Sequence, residues 1–301
     1  MLGRIYKLEE LSAPVVAGLD RQKTVFFISI SPLEGHGPHL PLGVDYFDAN
    51  YFTETTAQFL HSKRPDFDIV ICPGIPLGAQ VYRQPGSIRT DPHALYKVAY
   101  GLGESLAHWG FRYIFILSGH GSPRHIVALE SACLKVSRKF KIQMHNLSGA
   151  LAIRFLSGEF VERISNSLAK PLTPDEKELF KGDIHGGWWE TSMMLLLRPD
   201  LVGDFKNLGT IKRGEKDPKI RRGYFGSPSL ANREFAEASL RVMIDEGIGI
   251  VERVLNGKNK RSDTVSILHK YYFLRPYSTY RIVIVAMFIA ILILLGLLLC
   301  R

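Results

Sequence analysis

Three short apolar runs, residues 24–30 (TVFFISI), 67–72 (FDIVIC) and 113–117 (YIFIL), constrain the fold of this chain more than any other feature. Each is rich in β-branched or aromatic residues and bounded by Gly, Pro or polar residues, the pattern of a strand buried on both faces. Between and after them, residues 46–63, 91–110 and 122–140 repeat apolar positions at helical intervals over helical lengths. A strand followed by a helix and then another strand needs a crossover connection, which makes the strands parallel and lays helices over the sheet. The expected fold is therefore α/β, a three-layer α/β/α sandwich with a mostly parallel sheet. A further helix over 231–255 closes a domain expected at 1–255. In such a sheet the ligand lies beyond the carboxyl ends of the strands. Residues 31–45 follow the first run and 118–125 follow the third, so both segments are expected at that edge.

Composition refines the functional class. The chain has 301 residues, 46% hydrophobic and 22% charged, which is globular and enzyme-sized. Its formal charge of +9 is uneven: from Val251 onward eight Lys or Arg face two acids, so that stretch holds +6. The +3 left on the first 250 residues is too little for a phosphate-tracking surface, and no nucleic-acid partner is expected. Residues 282–300 form a run of 19 residues without a charge, about 28 Å as a helix. The expectation is a single C-terminal transmembrane helix at 282–300. A basic and aromatic juxtamembrane linker at 256–281 would precede it, with Tyr271, Tyr272, Phe273, Tyr277 and Tyr280 as an interfacial belt. Seven of the eight basic residues precede the run, so the positive-inside rule would keep the main domain cytoplasmic. The first residues lack the apolar core of a signal peptide. Three scattered cysteines, Cys72, Cys133 and Cys300, suit neither a disulfide framework nor a zinc finger.

The segment 31–45, SPLEGHGPHLPLGVD, carries Glu34, His36 and Asp45 among glycines and prolines that forbid a regular element. Glu34 and His36 fall on one side of an extended backbone, and the loop to Asp45 is long enough to return its carboxylate to the same point. Imidazole and carboxylate together suit Zn²⁺, Mn²⁺ or Fe²⁺, and a carboxylate can bridge two ions where an imidazole cannot. In the second cluster, SGHGSPRH, His120 stands between two glycines at a strand end, where backbone and ligand can approach closely. His125, at the following helix start, reads as structural. In the third, DIHGGWWETS at 183–192, His185 and Glu190 pair an imidazole with a carboxylate for general acid/base work. Trp188 and Trp189 could wall a pocket for a small planar substrate, or one of them could pack in the core.

These three segments, with GYFGSPSLAN at 223–232, resemble the creatininase (creatinine amidohydrolase) family over about residues 10–255. The first segment keeps the family's E-x-H-x-x-H-L-P-x-x-x-D almost whole. The resemblance implies a metal-dependent hydrolase acting on a non-peptide, possibly cyclic, amide C–N bond of a small molecule, and a homo-oligomer, commonly a hexamer. It implies a divalent centre, usually of two ions, with Glu34, His36, Asp45 and His120 as ligands and Asp45 bridging. His185 corresponds to the substrate-side histidine, and Glu190 to an acid that completes the second ion's shell or takes a proton from water.

The chain also departs from the family. The family's N-G-H-G-G-N is Ser118-Gly-His-Gly-Ser-Pro123 here, and a carboxylate that ligates metal in creatininases proper is replaced by Ser122. Glu190 would then carry that duty. The substrate loop at 78–89, GAQVYRQPGSIR, lacks a family histidine and adds Tyr82, Arg83 and Arg89. Creatinine is therefore not the expected substrate, and Tyr82, Ser122, Trp188 and Trp189 are the expected substrate contacts. Two alternatives stay open: a membrane-tethered pseudoenzyme or scaffold on the same fold, and a peptide-trimming or deformylating hydrolase of cofactor biosynthesis.

Overall fold

The computed structural model describes residues 3–212 and 223–299; within 278–299 the side chains of 278–282, 294 and 296–299 are outside that description. Five strands, β1 (Ile5–Lys7), β2 (Thr24–Ser29), β3 (Asp68–Ile71), β4 (Tyr113–Leu117) and β5 (Gln143–Asn146), form one sheet in the order β1-β3-β2-β4-β5. Every pairing is parallel. The helices in chain order are α1 (Ala13–Gly18), α2 (Val44–Lys63), α3 (Pro92–His108), α4 (Pro123–Phe140), α5 (Leu147–Leu156), α6 (Val161–Asn166), α7 (Pro174–Lys181), α8 (Trp188–Leu197), α9 (Arg233–Leu255), α10 (Arg261–Thr264) and α11 (Ser278–Leu299).

The alternation of side chains along β2 and β4 explains the layering. Val25, Phe27, Phe115 and Leu117 enter one core with α2, α5, α8 and α9. Phe26, Ile28, Ile114 and Ile116 point the other way, into a second core with α3 and α4. A strand that feeds two cores cannot carry a polar face, which is why β2 is buried at all six positions. Because β3 and β4 flank β2 on opposite sides, the chain reverses direction across the sheet there. A crevice opens at that switch point, beyond the carboxyl ends of β2 and β4.

The stretch after α9 is strapped to the domain. Ser266 N–H donates to Glu130 Oε1 at 2.7 Å, and Thr264 Oγ1 lies 3.0 Å from His145 Nδ1. Arg253 clamps Asp263 through two bonds of 3.1 and 3.0 Å. The segment expected as a linker at 256–281 thus includes α10 and two 3₁₀ turns, Ile267–Lys270 and Tyr272–Leu274.

The expected membrane anchor is corrected. Among the described residues no helix is long and apolar enough to cross a membrane. The single-pass anchor, and the localisation built on it, fall with that finding. Cys300 and Arg301 lie outside the described residues, as does the Tyr280 side chain of the expected aromatic belt.

Candidate metal centre

Four segments supply the centre, and each is placed by a local feature of the sequence. Glu34 and His36 lie in the Gly/Pro-rich loop after β2, Asp45 in the first turn of α2, His120 in the turn after β4, and Glu190 in the first turn of α8. Both helix-borne carboxylates sit where the helix dipole favours negative charge. Gly119 makes room for the approach: a Cβ there would lie 2.5 Å from the Asp45 carbonyl oxygen. Gly186 has φ +57, and its Cβ would meet the His36 carbonyl oxygen at 2.7 Å, so the turn between His185 and Glu190 needs glycine on both counts.

Asp45 stands between two donor sets. Its Oδ1 lies 3.3 Å from His36 Nε2, which is 3.6 Å from Glu190 Oε2. Its Oδ2 lies 3.1 Å from His120 Nδ1, itself 3.1 Å from Glu34 Oε2. Within Glu34–Asp45–His120 and within His36–Asp45–Glu190, one ligand atom from each residue lies within 4.8 Å of the others. Glu34, His36 and His185 form a third such group. All six residues are buried.

The far side of each imidazole fixes which nitrogen faces inward. His36 Nδ1 is bonded to the Glu34 carbonyl at 2.9 Å, and His120 Nε2 to the Ala79 carbonyl at 3.2 Å. A carbonyl only accepts, so each bonded nitrogen carries a proton and the opposite one is the nitrogen that faces the carboxylates, where a proton or a metal ion can sit. Glu34 Oε1 accepts the Tyr82 N–H, and Glu190 Oε2 accepts the Gly186 N–H at 2.5 Å. What remains is a set of buried atoms without hydrogen-bond partners: Glu34 Oε2, His36 Nε2 and Asp45 Oδ2. Leaving such atoms unpaired is costly, and a cation between them satisfies all three. These residues thus fit a divalent metal, and the shared Asp45 fits two ions.

Electrostatics agree with that reading. Burial opposes charge on His36, but the Asp45 and Glu190 carboxylates outweigh it and raise the imidazole to about 10. Burial likewise opposes charge on His120, yet Asp45 and Glu34 raise it well above its ordinary value. Asp45, despite burial, is held well below the carboxylate range by the two imidazoles. Burial lifts Glu190 to about 7 against the pull of His36. The cluster therefore concentrates negative charge and holds protons where cations fit.

His185 lies at the rim. Its Nε2 is 2.8 Å from the Gly35 carbonyl, and its ring is 4.1 Å from that of His36 and 4.4 Å from that of Tyr82. Burial and then the charge of His36 lower its pKa well below the usual value, so the ring is neutral. Phe225, from the fourth segment singled out in the sequence, pins it: Phe225 N–H donates to the His185 carbonyl at 2.6 Å. Tyr82 is 41% exposed beside it. The Ser122 hydroxyl donates to the Gln80 carbonyl at 2.9 Å and so holds the loop that carries Tyr82.

The two tryptophans separate. Trp188, expected at the substrate, is 2% exposed and stacks on Phe235 with ring centroids 4.5 Å apart, so it belongs to the core. Trp189 lines a largely apolar cavity of about 70 Å³ with Phe52, Leu151, Phe155 and Met243, and Glu190 forms part of its wall. Arg83 and Arg89 do not line it. His125 is structural: its ring bridges Ser118 Oγ at 2.9 Å and the Ala79 N–H at 3.3 Å.

Two site acids were not singled out in the sequence. Asp183 accepts from Trp188 N–H at 2.7 Å and Trp189 N–H at 2.8 Å, holding the start of α8. Its place two residues before His185 in a Gly-Gly turn was the available signal. Asp48, one turn beyond Asp45, is buried with both oxygens unpartnered, and burial and then the Glu190 and Asp45 charges raise its pKa well above normal. Nothing in a helical Asp-Tyr-Phe-Asp distinguishes it from a solvated acid.

Known proteins share this arrangement of chain. The sequence profile of the creatininase family, described as creatinine amidohydrolase, matches residues 9–251. A mycofactocin precursor peptide peptidase of Mycobacterium ulcerans is 24% identical over 267 residues, covering 83% of this chain and 93% of that protein. One from Mycolicibacterium smegmatis is 26% identical over 240 residues, covering 75% and 83%. Among solved structures, a creatinine amidohydrolase (creatininase) superposes with a TM-score of 0.62 at 20% identity, covering 82% of this chain and 97% of that one. A creatininase structure named for Mn has a TM-score of 0.60 at 20% identity, covering 82% and 97%, and likewise shares the fold.

Proposed function

The chain belongs to the creatininase family, and from that premise we propose that it is a metal-dependent hydrolase of an amide C–N bond. The observation that carries this reading is the division of Asp45, with one carboxylate oxygen facing each donor set at 3.3 and 3.1 Å. When bound there, divalent ions supply Lewis-acid polarisation of a carbonyl and a water that deprotonates near neutral pH. Glu34, His36, Asp45, His120 and Glu190 are the proposed ligands. Glu190 stands in the donor set with His36 and Asp45, which supports its serving where Ser122 has replaced a family carboxylate. The serines at 118 and 122 are engaged in loop hydrogen bonds, and both donor sets hold three ligand residues without them, which argues for an enzyme over a scaffold.

His185 is the proposed proton carrier. Its Nε2–H is committed to the Gly35 carbonyl, so Nδ1 is the atom that exchanges protons. A neutral ring must first take a proton, then deliver it to the departing nitrogen, which leaves poorly as an anion.

The apolar cavity beside Glu190 bears on substrate class. A small polar cyclic amide leaves such a cavity unfilled, whereas a short peptide can place an aliphatic or aromatic side chain in it. Together with the peptidase names of two relatives, this favours a peptide amide over the non-peptide amide expected from the sequence. The test is a panel of short peptides, cyclic amides and formamides offered to Mn²⁺- and Zn²⁺-loaded protein. Turnover of peptides with an apolar residue beside the cut, abolished by Asp45→Asn, is expected. Turnover of cyclic amides alone would overturn the peptide reading, and no turnover of any amide would overturn the hydrolase.

A further inference from the structure

On the opposite side of α5 from the metal centre's cavity, the strap that follows α9 encloses two adjoining cavities of about 650 and 410 Å³. Arg261, His269 and Arg275 line both. The larger adds Arg154 and Lys270, the smaller adds Lys135 and Arg138, and among the described residues no Asp or Glu lines either.

The charges here are not spent internally. The strap's only acid between 256 and 277 is Asp263, which is turned away into its two bonds with Arg253. Glu130, the nearest buried acid, lies beneath the strap with Oε1 on the Ser266 N–H. Arg154 is met by Glu159 and Glu246. Among the described residues, the side chains of Lys135, Arg138, Arg261 and Lys270 form no hydrogen bond or ion pair, and Arg261 is met only at longer range by the Glu130 carboxyl. Cations left unpaired around a concavity repel one another, and the walls are held in place all the same. Ser266 is tied to Glu130, His269 Nε2 sits 3.3 Å from Ser131 Oγ, and Arg275 donates to the His269 carbonyl at 3.3 and 3.1 Å. The strap keeps those repelling charges together, as a binding site does.

We propose that this paired cavity is a binding site for a small, multiply charged phosphate anion, one phosphate group in each cavity and Arg261 between them. Guanidinium groups match phosphate oxygens in geometry and ammonium groups add point charge, which suits Arg138, Arg261, Lys135 and Lys270 to a diphosphate rather than to a single carboxylate. The site shares no residue with the metal centre and does not depend on the hydrolase reading.

The test is calorimetric titration of the full chain, stripped of divalent ions, with inorganic pyrophosphate at neutral pH and near-physiological salt. Saturable binding of one anion per chain is expected, weakened roughly tenfold or more by Arg261→Gln and by Arg138→Gln. Both side chains are exposed and unpaired, so the folded state survives, as circular dichroism would verify. His36→Ala, at the metal centre, should leave the affinity unchanged. Absence of saturable binding would overturn the proposal. So would binding that survives both arginine substitutions or is lost in His36→Ala.

Discussion

Asp45 is the residue on which the centre turns, because among the described residues no other carboxylate is shared by the Glu34–His120 and His36–Glu190 sets. Glu190 makes a sharper probe of the second set, since glutamine preserves its shape and its acceptor for the Gly186 N–H. Glu190→Gln should retain the fold, lose one ion by elemental analysis, and lower amide hydrolysis roughly 100-fold or more. An unchanged metal count would show that Glu190 is no ligand. At this scale the sequence was legible where unusual neighbours surround a polar residue. Glu34 and His36 stand among glycines and prolines that exclude a regular element, whereas Asp45, expected in the same irregular run, lies in the first turn of α2; the structure brings all three together with His120. Trp188 and Trp189 were not separable, because two adjacent helical positions differ only in which way the helix rolls. Asp48 was illegible, because only burial distinguishes it.

The elements were legible in proportion to how much apolar surface they bury. β4 has the bounds its run of YIFIL suggests, and α2, α3, α4 and α9 lie where helical spacing placed them. The edge strands β1 and β5 were missed, since IYK and QMHN are short and half polar and are strands only because a neighbour pairs with them. Contacts between elements yield two predictions. Gly119→Ala puts a methyl against the Asp45 backbone and should cost about 1–3 kcal/mol in thermal or urea unfolding, with metal lost as well. The buried Glu130 carboxyl, whose pKa burial raises from 4.5 to about 7, holds its proton in the folded state after the unfolded chain has released it. Stability therefore declines as pH rises from 4.5 to 7, by roughly 3 kcal/mol from this group. Glu130→Gln, which cannot ionise, should flatten that decline; an unaltered pH profile of urea unfolding would refute the assignment.

Across the whole molecule, topology does what no single segment can. Placing β3 and β4 on opposite sides of β2 opens the crevice in which loops 31–43 and 118–122 meet. The α/β sandwich was legible from strand and helix order alone, whereas the role of the C-terminal stretch was not. Its charge and apolar run suggested a linker and an anchor, while the structure shows a strap on α4 and α5 and no helix among the described residues able to cross a membrane. The account rests on two ions sharing Asp45, and anomalous diffraction at the metal edge from crystals grown with Mn²⁺ or Zn²⁺ tests it most directly. Two peaks flanking Asp45, one among Glu34, Asp45 and His120 and one among His36, Asp45 and Glu190, are predicted. A map with no peak there, or with a single peak that Asp45 does not touch, would contradict it.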